Sequence, residues 1–338
     1  MGPSYHSGRV RPTSARAAAP FDYAALATDS LLPPDVLAAV VFGDAYSHLA
    51  DPRCIRVGLP PIGGRGVAEL WRAVGQVETG CEDLVKFAFD EERLAGVIEI
   101  DEREHGGLAA AARLAYAAIE RFQSTSRFPY VLRVWNYFDR INHGSADEER
   151  YKQFCAGRAA GLGPHPTARY PAASALGRRD GVPTLQVYWL AARAPGAPLE
   201  NPRQVSAYHY PRWYGPAAPR FSRAMLASGP LLMISGTASV VGHASRHPGD
   251  LASQIDETLA NLASVLDRAT AMEPAIPARW GAESLLKVYL RERSSADAAA
   301  ARLAARLPAG VRYMILEADI CRSELLVEID CVHGLQSG

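Results

Sequence analysis

The chain has 338 residues, of which 48% are hydrophobic and 21% charged, so it can bury a large core and is long enough for two domains. Its 36 basic and 36 acidic side chains cancel. No overall electric field therefore favours nucleic acid or an anionic membrane as a partner, and an anionic ligand must be met by local arginines.

The five cysteines are widely spaced and form no C-x-x-C pair of the kind that binds metals. This pattern favours a reducing compartment without structural disulfides, so we expect a cytoplasmic protein. No stretch reaches the roughly 18 apolar residues needed to cross a bilayer, and no membrane partner is expected. Residues 1–20 are rich in Ser, Arg, Pro and Ala, which is typical of a flexible tail.

In the first half of the chain, hydrophobic periodicity predicts an alternation of strands and helices. Residues 107–122 carry the apolar stripe of an amphipathic helix. Ser145 followed by Glu148 is a capping-box signature, which predicts a helix from there to about Leu162. The predicted elements are strand 94–100, helix 107–122, strand 130–137, helix 145–162, strand 184–191 and strand 204–210.

The second half begins after a stretch punctuated by Pro and Gly at residues 211–219. Asp250 is a candidate cap for a long amphipathic helix, and Ser294 or Ser295 for an alanine-rich one. The predicted elements are strand 231–235, helix 251–266, strand 285–290, helix 295–307, strand 313–318 and strand 325–332.

Both halves therefore share the order strand, helix, strand, helix, strand, strand, which indicates an internal repeat. The repeat predicts an α+β fold with two related layers, each a mixed sheet with helices packed on one face. The predicted domains are an N-terminal domain at residues 21–212 and a C-terminal domain at residues 213–338.

One carboxylate near the C-terminus stands among aliphatic residues. Glu328 lies between Val327 and Ile329, so it either points to the solvated face of a half-exposed strand or sits in an apolar pocket with a raised pKa. The apolar strand at 231–235 runs into Ser-Gly-Thr-Ala-Ser, and such small residues let a ligand approach the backbone closely. This second feature favours the pocket, in which Glu328 is an acid.

Two further segments are candidates for ligand contact. Tyr151 and Arg158 share a helix face, which either meets a cleft or is an ordinary surface with a core tyrosine. The stretch from Tyr208 through Arg212 to Tyr214 is aromatic and cationic, which suits a small anionic ring but also suits the packing of a linker.

A metal site is not predicted. His243 and His247 stand four residues apart, as two ligands on a helix do, but Gly242, Pro248 and Gly249 place them in a loop. No third ligand is visible nearby.

Four segments of the second half carry a resemblance to a known fold: Phe221-Ser222-Arg223-Ala224, the strand that ends at Ser235-Gly236, residues 250–262 and Val327-Glu328-Ile329. In these segments the second half resembles the reactive-intermediate-deaminase fold, also called Rid or YjgF-like. This resemblance implies that the two halves are tandem Rid-like domains, similar also to the chorismate mutase fold.

Several short segments from about residue 130 to the C-terminus carry a second resemblance through their combination. They are RVWNY (133–137), RIN (140–142), ERY (149–151) with FC (154–155) and GR (157–158), YPR (210–212) with YGP (214–216), SGTAS (235–239) with GH (242–243), ADICR (318–322) and VEI (327–329). In these segments the chain resembles the chorismatases, two-domain enzymes that remove pyruvate from chorismate.

The chorismatase resemblance implies chorismate as the substrate, no cofactor, and protonation of its enolpyruvyl methylene carbon by Glu328. Arginines suit the two carboxylates of chorismate, because a guanidinium binds carboxylate bidentately. The candidate catalytic residues are Glu328 and Cys321, and the candidate substrate contacts are Tyr151, Arg158, Tyr208, Arg212, Tyr214, Gly236, Thr237 and Ala238.

The expected products are pyruvate and 3-hydroxybenzoate, because Cys321 resembles a position at which hydroxybenzoate-forming members carry cysteine. A small buried hydrophobe is the alternative role for this thiol. If water traps the intermediate instead, the ring product is a dihydroxycyclohexadiene carboxylate. Ala238 is expected to set the room beside the ring.

Two other functions stay open. A Rid-type 2-imino acid deaminase would carry arginine where this chain has Tyr313, and Arg312 is one residue away, on the other face of the strand. A ligand-binding protein without turnover is the second alternative, because fold does not fix function. Rid proteins are typically trimers, and a tandem fusion that replaces some of those contacts is compatible with a monomer.

Overall fold

A computed structural model describes residues 19–26, 31–44, 46–63 and 66–334. The predicted flexible tail at 1–20 therefore lies, except for its last two residues, outside the described residues. Within the described parts of the chain, the helices are all too short or too polar to cross a membrane.

The helices are α1 (Leu108–Thr125), α2 (Arg150–Leu162), α3 (Leu251–Met272) and α4 (Ala296–Arg306). The strands up to the middle of the chain are β1 (Phe21–Ala25), β2 (Val36–Phe42), β3 (Cys54–Val57), β4 (Pro61–Ile62), β5 (Val67–Arg72), β6 (Glu78–Glu82), β7 (Val85–Phe89), β8 (Arg93–Asp101), β9 (Tyr130–Asp139), β10 (Ala172–Arg178) and β11 (Thr184–Ala192). The remaining strands are β12 (Ala197–Leu199), β13 (Ala224–Ala227), β14 (Leu231–Ala238), β15 (Val240–Val241), β16 (Ala244–Ser245), β17 (Ser284–Leu290), β18 (Arg312–Glu317), β19 (Asp319–Ile320) and β20 (Val327–His333).

Two seven-stranded mixed sheets form the body of the molecule, and the predicted repeat is confirmed. The first sheet has the order β19-β10-β9-β11-β8-β7-β6, and the second the order β12-β13-β14-β20-β17-β18-β4. Each contains one parallel pair, β9 with β10 and β17 with β18. Along the chain, β8-α1-β9-α2-β10-β11 corresponds to β14-α3-β17-α4-β18-β20.

Each sheet covers one face with its own helices, as predicted. Residues of α1 pack on β8, β9 and β11 in one apolar core, and residues of α3 and α4 pack on β14, β17 and β20 in another. The other faces of the two sheets meet in a central core rich in aromatic side chains. There Tyr137 of β9 and Tyr289 of β17, which hold corresponding places in the two halves, bring their hydroxyl oxygens to 3.2 Å.

The halves exchange short strands across this central layer. The two-residue β19 comes from the second half but pairs with β10 in the first sheet. The short strands β4 and β12, from the first half, extend the second sheet. A separate four-stranded sheet, β1-β5-β2-β3, adds further side chains to the central core.

The predicted strand at 204–210 is wrong. Gln204 forms one isolated bridge with Gly242, and Ala207–His209 is a single 3-10 turn. The aromatic rings of this segment pack against side chains, Tyr208 on Tyr170 and Tyr210 on Tyr214, and not along a neighbouring strand. The predicted strand at 184–191 is β11, which closes the first repeat, and the strand before it, β10, was not predicted.

The predicted capping box at Ser145 is also wrong. Ser145 precedes a single 3-10 turn, and its side chain makes no capping hydrogen bond. The backbone is extended again at Glu149, so α2 begins only at Arg150. Ala146 in the left-handed region, with φ of 52°, breaks the continuity that a capping box needs. The predicted cap of α3 is confirmed, because the Asp250 carboxylate accepts from the Ser253 amide.

Candidate active site

Glu328 lies in the middle of the second sheet. β20 runs between β14 and β17, where Glu328 stands opposite Ala238 on one side and Tyr289 on the other. Its neighbours Val327 and Ile329 are fully buried in the helix-side core. Glu328 points to the opposite face and is only 4% exposed. The strand is therefore buried on both faces, and the interpretation of Glu328 as a solvated residue of a half-exposed strand does not apply.

The surroundings of Glu328 keep its carboxyl group protonated. Burial, and after it the charge of Asp330, raises the pKa of Glu328 to about 8, against the opposing effects of Arg133 and Arg223. The group consequently carries its proton at neutral pH. A carboxylic acid held in this state can donate that proton to a bound molecule.

Glu328 borders a cavity of about 240 Å³ at the junction of the two halves. A narrower recess of about 40 Å³ shares Tyr151, Gly236, Cys321 and Glu328 with this cavity and reaches Arg158. The wall of the main cavity is rich in aromatic and cationic side chains: Tyr151, Tyr210, Trp213, Tyr214, Phe221, Arg223 and Arg322. Such a wall suits a small anionic ring.

Arg223 is one of two arginines in this wall. Its Nη2 donates to the carbonyl oxygen of Val205 at 2.9 Å and to the hydroxyl of Tyr210 at 2.7 Å. Arg223 is only 6% exposed, and within the described residues its Nε makes no hydrogen bond. A buried guanidinium with an unused donor nitrogen is suited to bind an anionic ligand.

Arg322 is the second arginine, and aromatic rings hold it. Its guanidinium carbon lies 4.3 Å from the ring centre of Tyr214 and 5.3 Å from that of Tyr210. Nη1 donates to the carbonyl oxygen of His243 at 2.8 Å and to Ser245 Oγ at 3.0 Å. One nitrogen therefore anchors the side chain, and the stacked rings orient the guanidinium plane.

The structure brings most of the predicted site residues to this place. Glu328, Cys321, Tyr151, Tyr214, Gly236 and Ala238 line the main cavity, and Arg158 lines the recess.

Three predicted residues lie elsewhere. The side chain of Arg212 is 64% exposed and pairs with Asp147 on the surface at 2.7 Å. Tyr208 packs on Tyr170 and His209. Thr237 is buried, and its hydroxyl donates to the carbonyl oxygen of Ser235. Because β14 bulges between Ile234 and Thr237, only Gly236 and Ala238 of this turn border the cavity.

Comparison with known proteins decides the family. A protein named "Chorismatase" from Streptomyces rapamycinicus is 37% identical over 277 residues, which cover 78% of this chain and 81% of that protein. A "3-hydroxybenzoate synthase" from Streptomyces hygroscopicus is 36% identical over 280 residues, with coverage of 78% and 81%. The chain belongs to the chorismatase family.

Two further findings extend the chorismatase match. The family described as "Chorismatase FkbO/Hyg5-like, N-terminal" matches residues 69–191. A crystal structure of a chorismatase superimposes with a TM-score of 0.80 and 29% sequence identity, and covers 95% of this chain and all of that one. The family resemblance seen in the sequence and the predicted fold class are both confirmed.

Two weakly acidic groups, Cys321 and Tyr151, line the same cavity as Glu328. Burial, and after it the nearby Glu328, raises the pKa of the Cys321 thiol. Burial also raises the pKa of Tyr151 well above its usual value, with Cys155 contributing next. Both groups are therefore protonated at neutral pH and can act as hydrogen-bond donors, but not as charged nucleophiles.

Arg158 closes the inner end of the recess. It is 3% exposed and lies 4.8 Å from the ring centre of Tyr116. Within the described residues, its Nε and Nη2 make no hydrogen bond. On its other side, Arg158 borders a separate cavity of about 450 Å³ lined by residues of α1, His165 and Tyr170.

The arginine that a deaminase would need is committed to another contact. Arg312, the first residue of β18, donates to the carboxylate of Asp22 on β1. Tyr313, at the position that the comparison with Rid deaminases singled out, packs against the helix-side core of the second sheet. This placement and the chorismatase membership both count against 2-imino acid deamination.

Sequence reasoning missed both arginines of the main cavity. Arg223 lies in the segment Phe221-Ser222-Arg223-Ala224, and Arg322 directly follows Cys321, so both were within stretches already recognised as similar to known families. A search of those stretches for cations next to the proposed acid would have found them. The aromatic segment around Arg212 favours this arginine in the sequence, but Asp147 holds it on the surface.

Proposed function

We propose that this chain converts chorismate to 3-hydroxybenzoate and pyruvate, with Glu328 as the general acid. The observation that carries the proposal is a buried and protonated carboxyl group that borders a cavity with two arginines in its wall. Of the two relatives compared above, one is named for chorismate chemistry and the other for this ring product.

The two carboxylates of chorismate match the two arginines. Arg223 offers a donor nitrogen that has no partner, and Arg322 lies in the wall with its plane fixed by Tyr214. Charge-assisted hydrogen bonds of this kind are about twice as strong as neutral ones and fix orientation. We assign the substrate carboxylates to Arg223 and Arg322, with the ring against Tyr151, Ala238 and Cys321.

The chemistry begins with the transfer of the Glu328 proton to the methylene carbon of the enolpyruvyl group. The adjacent carbon becomes an oxocarbenium ion, and the Glu328 carboxylate left beside it stabilises the positive charge. The ring hydroxyl at C4 traps this ion, and its proton passes to the C3 oxygen as the ether bond between that oxygen and the trapped carbon breaks. The ring C4–O bond then breaks, and pyruvate leaves with the former C4 oxygen as its keto oxygen. The ring then loses the proton that Glu328 regains, and it aromatises, so hydroxybenzoate and pyruvate together contain the atoms of chorismate and nothing else.

Cys321 supports the aromatic product over the diol. Diol formation consumes one water, which must reach the oxocarbenium carbon. The Cys321 thiol lines the cavity wall close to Glu328, and it can donate to a ring oxygen and occupy the place of that water. Ala238, directly opposite Glu328 in the sheet, limits the room beside the ring.

The decisive experiment measures pyruvate from purified protein and chorismate, coupled to lactate dehydrogenase, with chromatography of the ring product. In D₂O, an exchangeable acid delivers one deuteron to the methylene carbon, which becomes the methyl group of pyruvate. This label is preserved when the pyruvate is reduced at once to lactate. The Glu328→Gln variant should release pyruvate about 10³-fold more slowly than the wild type, while its circular dichroism spectrum stays that of the wild type.

Other outcomes would assign the alternatives. Saturable binding of chorismate without pyruvate release would indicate a ligand-binding protein. Ammonia release from a 2-imino acid, with chorismate unchanged, would indicate a deaminase. Pyruvate with a non-aromatic ring product would keep Glu328 as the acid and replace 3-hydroxybenzoate by the diol.

We further propose that the enzyme acts in the cytoplasm as a monomer. The cavity residues to which the proposed chemistry gives a role, Glu328, Cys321, Tyr151, Arg223 and Arg322, all come from one chain, so this chemistry needs no residue from a second copy. Sedimentation velocity at assay concentrations should give one species of the mass of the chain, 36.4 kDa. A trimer would contradict the monomer and leave the chemistry unaffected.

A further inference from the structure

A quartet of charged side chains is buried between the two sheets, next to the proposed acid. We call Glu69, Arg133, Lys287 and Asp330 the central quartet. Arg133 Nη2 lies 3.0 Å from Asp330 Oδ2, and Lys287 Nζ lies 2.7 Å from Glu69 Oε2 and 3.8 Å from Asp330 Oδ1. All four side chains are at most 3% exposed. Two positive and two negative charges cancel inside the quartet.

Hydrogen-bond donors converge on the two carboxylates of the quartet. The hydroxyl of Tyr289 and the indole Nε1 of Trp135 each donate to Asp330 Oδ2 at 2.9 Å. The indole of Trp71 donates to Glu69 Oε1 at 2.8 Å. Asp330 is therefore held in place by one guanidinium and by neutral donors around a single carboxylate oxygen.

Glu328 is a third carboxyl group on the same face of β20, two residues before Asp330. Among the residues that the structure describes, no Lys, Arg or His nitrogen lies within 4.0 Å of its carboxyl oxygens. The guanidinium of Arg133 is already used by Asp330, by the carbonyl oxygen of Val134 at 2.7 Å and by Ser174 Oγ at 2.6 Å. The quartet therefore has no positive charge left for a second neighbouring anion.

Ser174 connects the quartet to Gly236, the residue against which the Glu328 carboxyl group packs. Its hydroxyl oxygen accepts from Arg133 Nη2 and from the amide of Gly236 at 2.9 Å, and the hydroxyl donates to Asp330 Oδ2 at 3.2 Å. A Cβ added at Gly236 would collide with Glu328 Oε1 and lie 3.0 Å from Ser174 Oγ, so the carboxyl group rests against this corner. The network thus ends at the acid but leaves it without a counterion.

We propose that Asp330 is a positioning residue of the reaction, whose fixed negative charge, balanced within the quartet, keeps Glu328 in its proton-carrying form between turnovers. The proposal rests on the proposed function for the role of that proton. If Glu328 ionised, three carboxylates would share two cations in a buried layer, and a buried carboxylate without a counterion is strongly disfavoured.

The groups that face Glu328 from the other elements do not reverse this balance. Cys321, after β19, and Tyr151, on α2, are neutral, and Ser174 on β10 is a neutral hydroxyl. Arg223, before β13, favours the ionised form. In the proposed function, a substrate carboxylate neutralises Arg223 on binding, so the proton is held more firmly when the substrate is present.

The test removes single negative charges without changing shape. In Asp330→Asn, the quartet gains an uncompensated positive charge, for which Glu328 becomes the natural counterion. We expect the alkaline limb of the pH profile of kcat/KM to move down by about one pH unit or more. We expect the infrared carbonyl band of protonated Glu328, identified by its loss in Glu328→Gln, to vanish at a correspondingly lower pH.

Two further variants make the outcome decisive. Glu69→Gln removes the more distant negative charge and should also lower the pH of the alkaline limb and of the loss of the infrared band, by a smaller amount than Asp330→Asn. This variant keeps the test available if Asp330→Asn does not fold. Asp90→Asn replaces an equally buried aspartate at the far end of β7, outside the quartet, and should move neither. A merely structural role of Asp330 would lower kcat without displacing the limb or the band.

Failure of this inference differs from failure of the proposed function. A wild type that releases no pyruvate would overturn the function, while the infrared band would still report on Glu328. Folded Asp330→Asn and Glu69→Gln proteins with the band and the limb at their wild-type positions would overturn the role of the quartet.

Discussion

The strands β20 and β11 hold the same place in the two halves, but they differ where the acid stands. Glu328 of β20 lies opposite Tyr289, whereas Gln186 of β11 lies opposite Tyr137. The hydroxyls of these two tyrosines meet in the central core. Gln186 is therefore the counterpart of Glu328. The second half carries an ionisable acid at this position, and the first half carries a neutral amide.

The surroundings of Gln186 and Glu328 also differ, because Gln186 is covered by other strands and Glu328 borders a cavity. Gln186 Nε2 donates to the carbonyl oxygen of Arg56 on β3 at 2.7 Å and to Glu99 Oε1 at 2.9 Å. Backbone of the four-stranded sheet β1-β5-β2-β3 thus covers Gln186, which is 1% exposed. Glu328 has a cavity in the corresponding direction, with Arg223 and Arg322 in its wall.

Among the described residues, this difference explains why we propose an active site in one half of a repeated fold and not in the other. Both halves supply a central strand with a polar residue facing the interior, but the N-terminal sheet occupies the place that a ligand would take in the first half. Fold repetition therefore does not imply two sites, and the chemistry depends on which strand end stays uncovered.

The largest effect is expected from removing the acid itself. Glu328→Gln keeps size and polarity but has no proton to give, so kcat for pyruvate release should fall by about 10³-fold, within the usual range for a general acid. The matched control is Glu99→Gln, because Glu99 stands beside the counterpart position Gln186. Steady-state assays should show wild-type kcat for Glu99→Gln, and an equal loss in both variants would contradict the comparison.

A methyl group at Gly236 should displace the acid without removing it. The added Cβ would overlap Glu328 Oε1 and lie 2.8 Å from its Cδ. A shift of the carboxyl group by about 1 Å is expected to lower kcat by roughly 10²-fold. Gly281→Ala is the control, because its added methyl group would meet only the flexible end of Glu283. Wild-type kcat in Gly236→Ala would show that Glu328 does not depend on this contact.

The arginines that distinguish the second-half position should contribute mainly to transition-state and substrate binding. Arg322→Met and Arg223→Met each lose charge-assisted hydrogen bonds worth about 1.5–3 kcal/mol, so kcat/KM should fall by about 10- to 150-fold. Arg212→Met is the control, because Arg212 pairs with Asp147 on the surface and should leave kcat/KM unchanged. A loss in Arg212→Met as large as in Arg322→Met would contradict the assignment of the carboxylate sites.

The contrast between Arg212 and Arg322 shows what the sequence could and could not predict. The aliphatic flanks of Glu328, together with the small residues at the end of strand 231–235, favoured a buried acid. Periodicity predicted the four helices and the strands β8, β9, β11, β14, β17, β18 and β20, but not β2, β5 or β10, because periodicity is a local signal. The two-residue strands β4 and β19 carry no periodicity, and their pairing joins segments far apart in the chain. The exposure of Arg212 depends on Asp147, a partner that the spacing of residues does not reveal.

The central quartet escaped prediction for a different reason. Lys287 and Asp330 alternate with apolar residues in β17 and β20, as solvated residues do in a half-exposed strand. A strand that faces a buried polar network shows the same alternation, so the pattern does not distinguish water from a second protein layer. Only the packing of the two sheets decides between these cases.

Stability should depend on pH through the same acid. The pKa of Glu328 is about 8 in the folded chain against an ordinary 4.5, so between these pH values the unfolded chain has released a proton that the folded chain still holds. The free energy of unfolding therefore falls as pH rises through this window, and the loss is absent in Glu328→Gln. At pH 8.5, the melting temperature of Glu328→Gln should exceed that of the wild type by about 3 °C or more, and the two should converge below pH 5. Parallel melting curves across this window would contradict the buried, raised pKa.

The smallest effect concerns the product and not the rate. Cys321→Ala removes a donor beside the ring but leaves the acid and the arginines, so pyruvate release should persist. Because one hydrogen bond contributes about 0.5–1.5 kcal/mol, the ratio of hydroxybenzoate to diol should fall by roughly two- to tenfold, measured by chromatography of the ring products. The control is Cys81→Ala on the exposed β6, far from the cavity, which should leave the ratio unchanged. An unchanged ratio in Cys321→Ala would reduce this thiol to a space-filling residue, and the choice between ring hydroxyl and water would then depend on the shape of the cavity at Ala238.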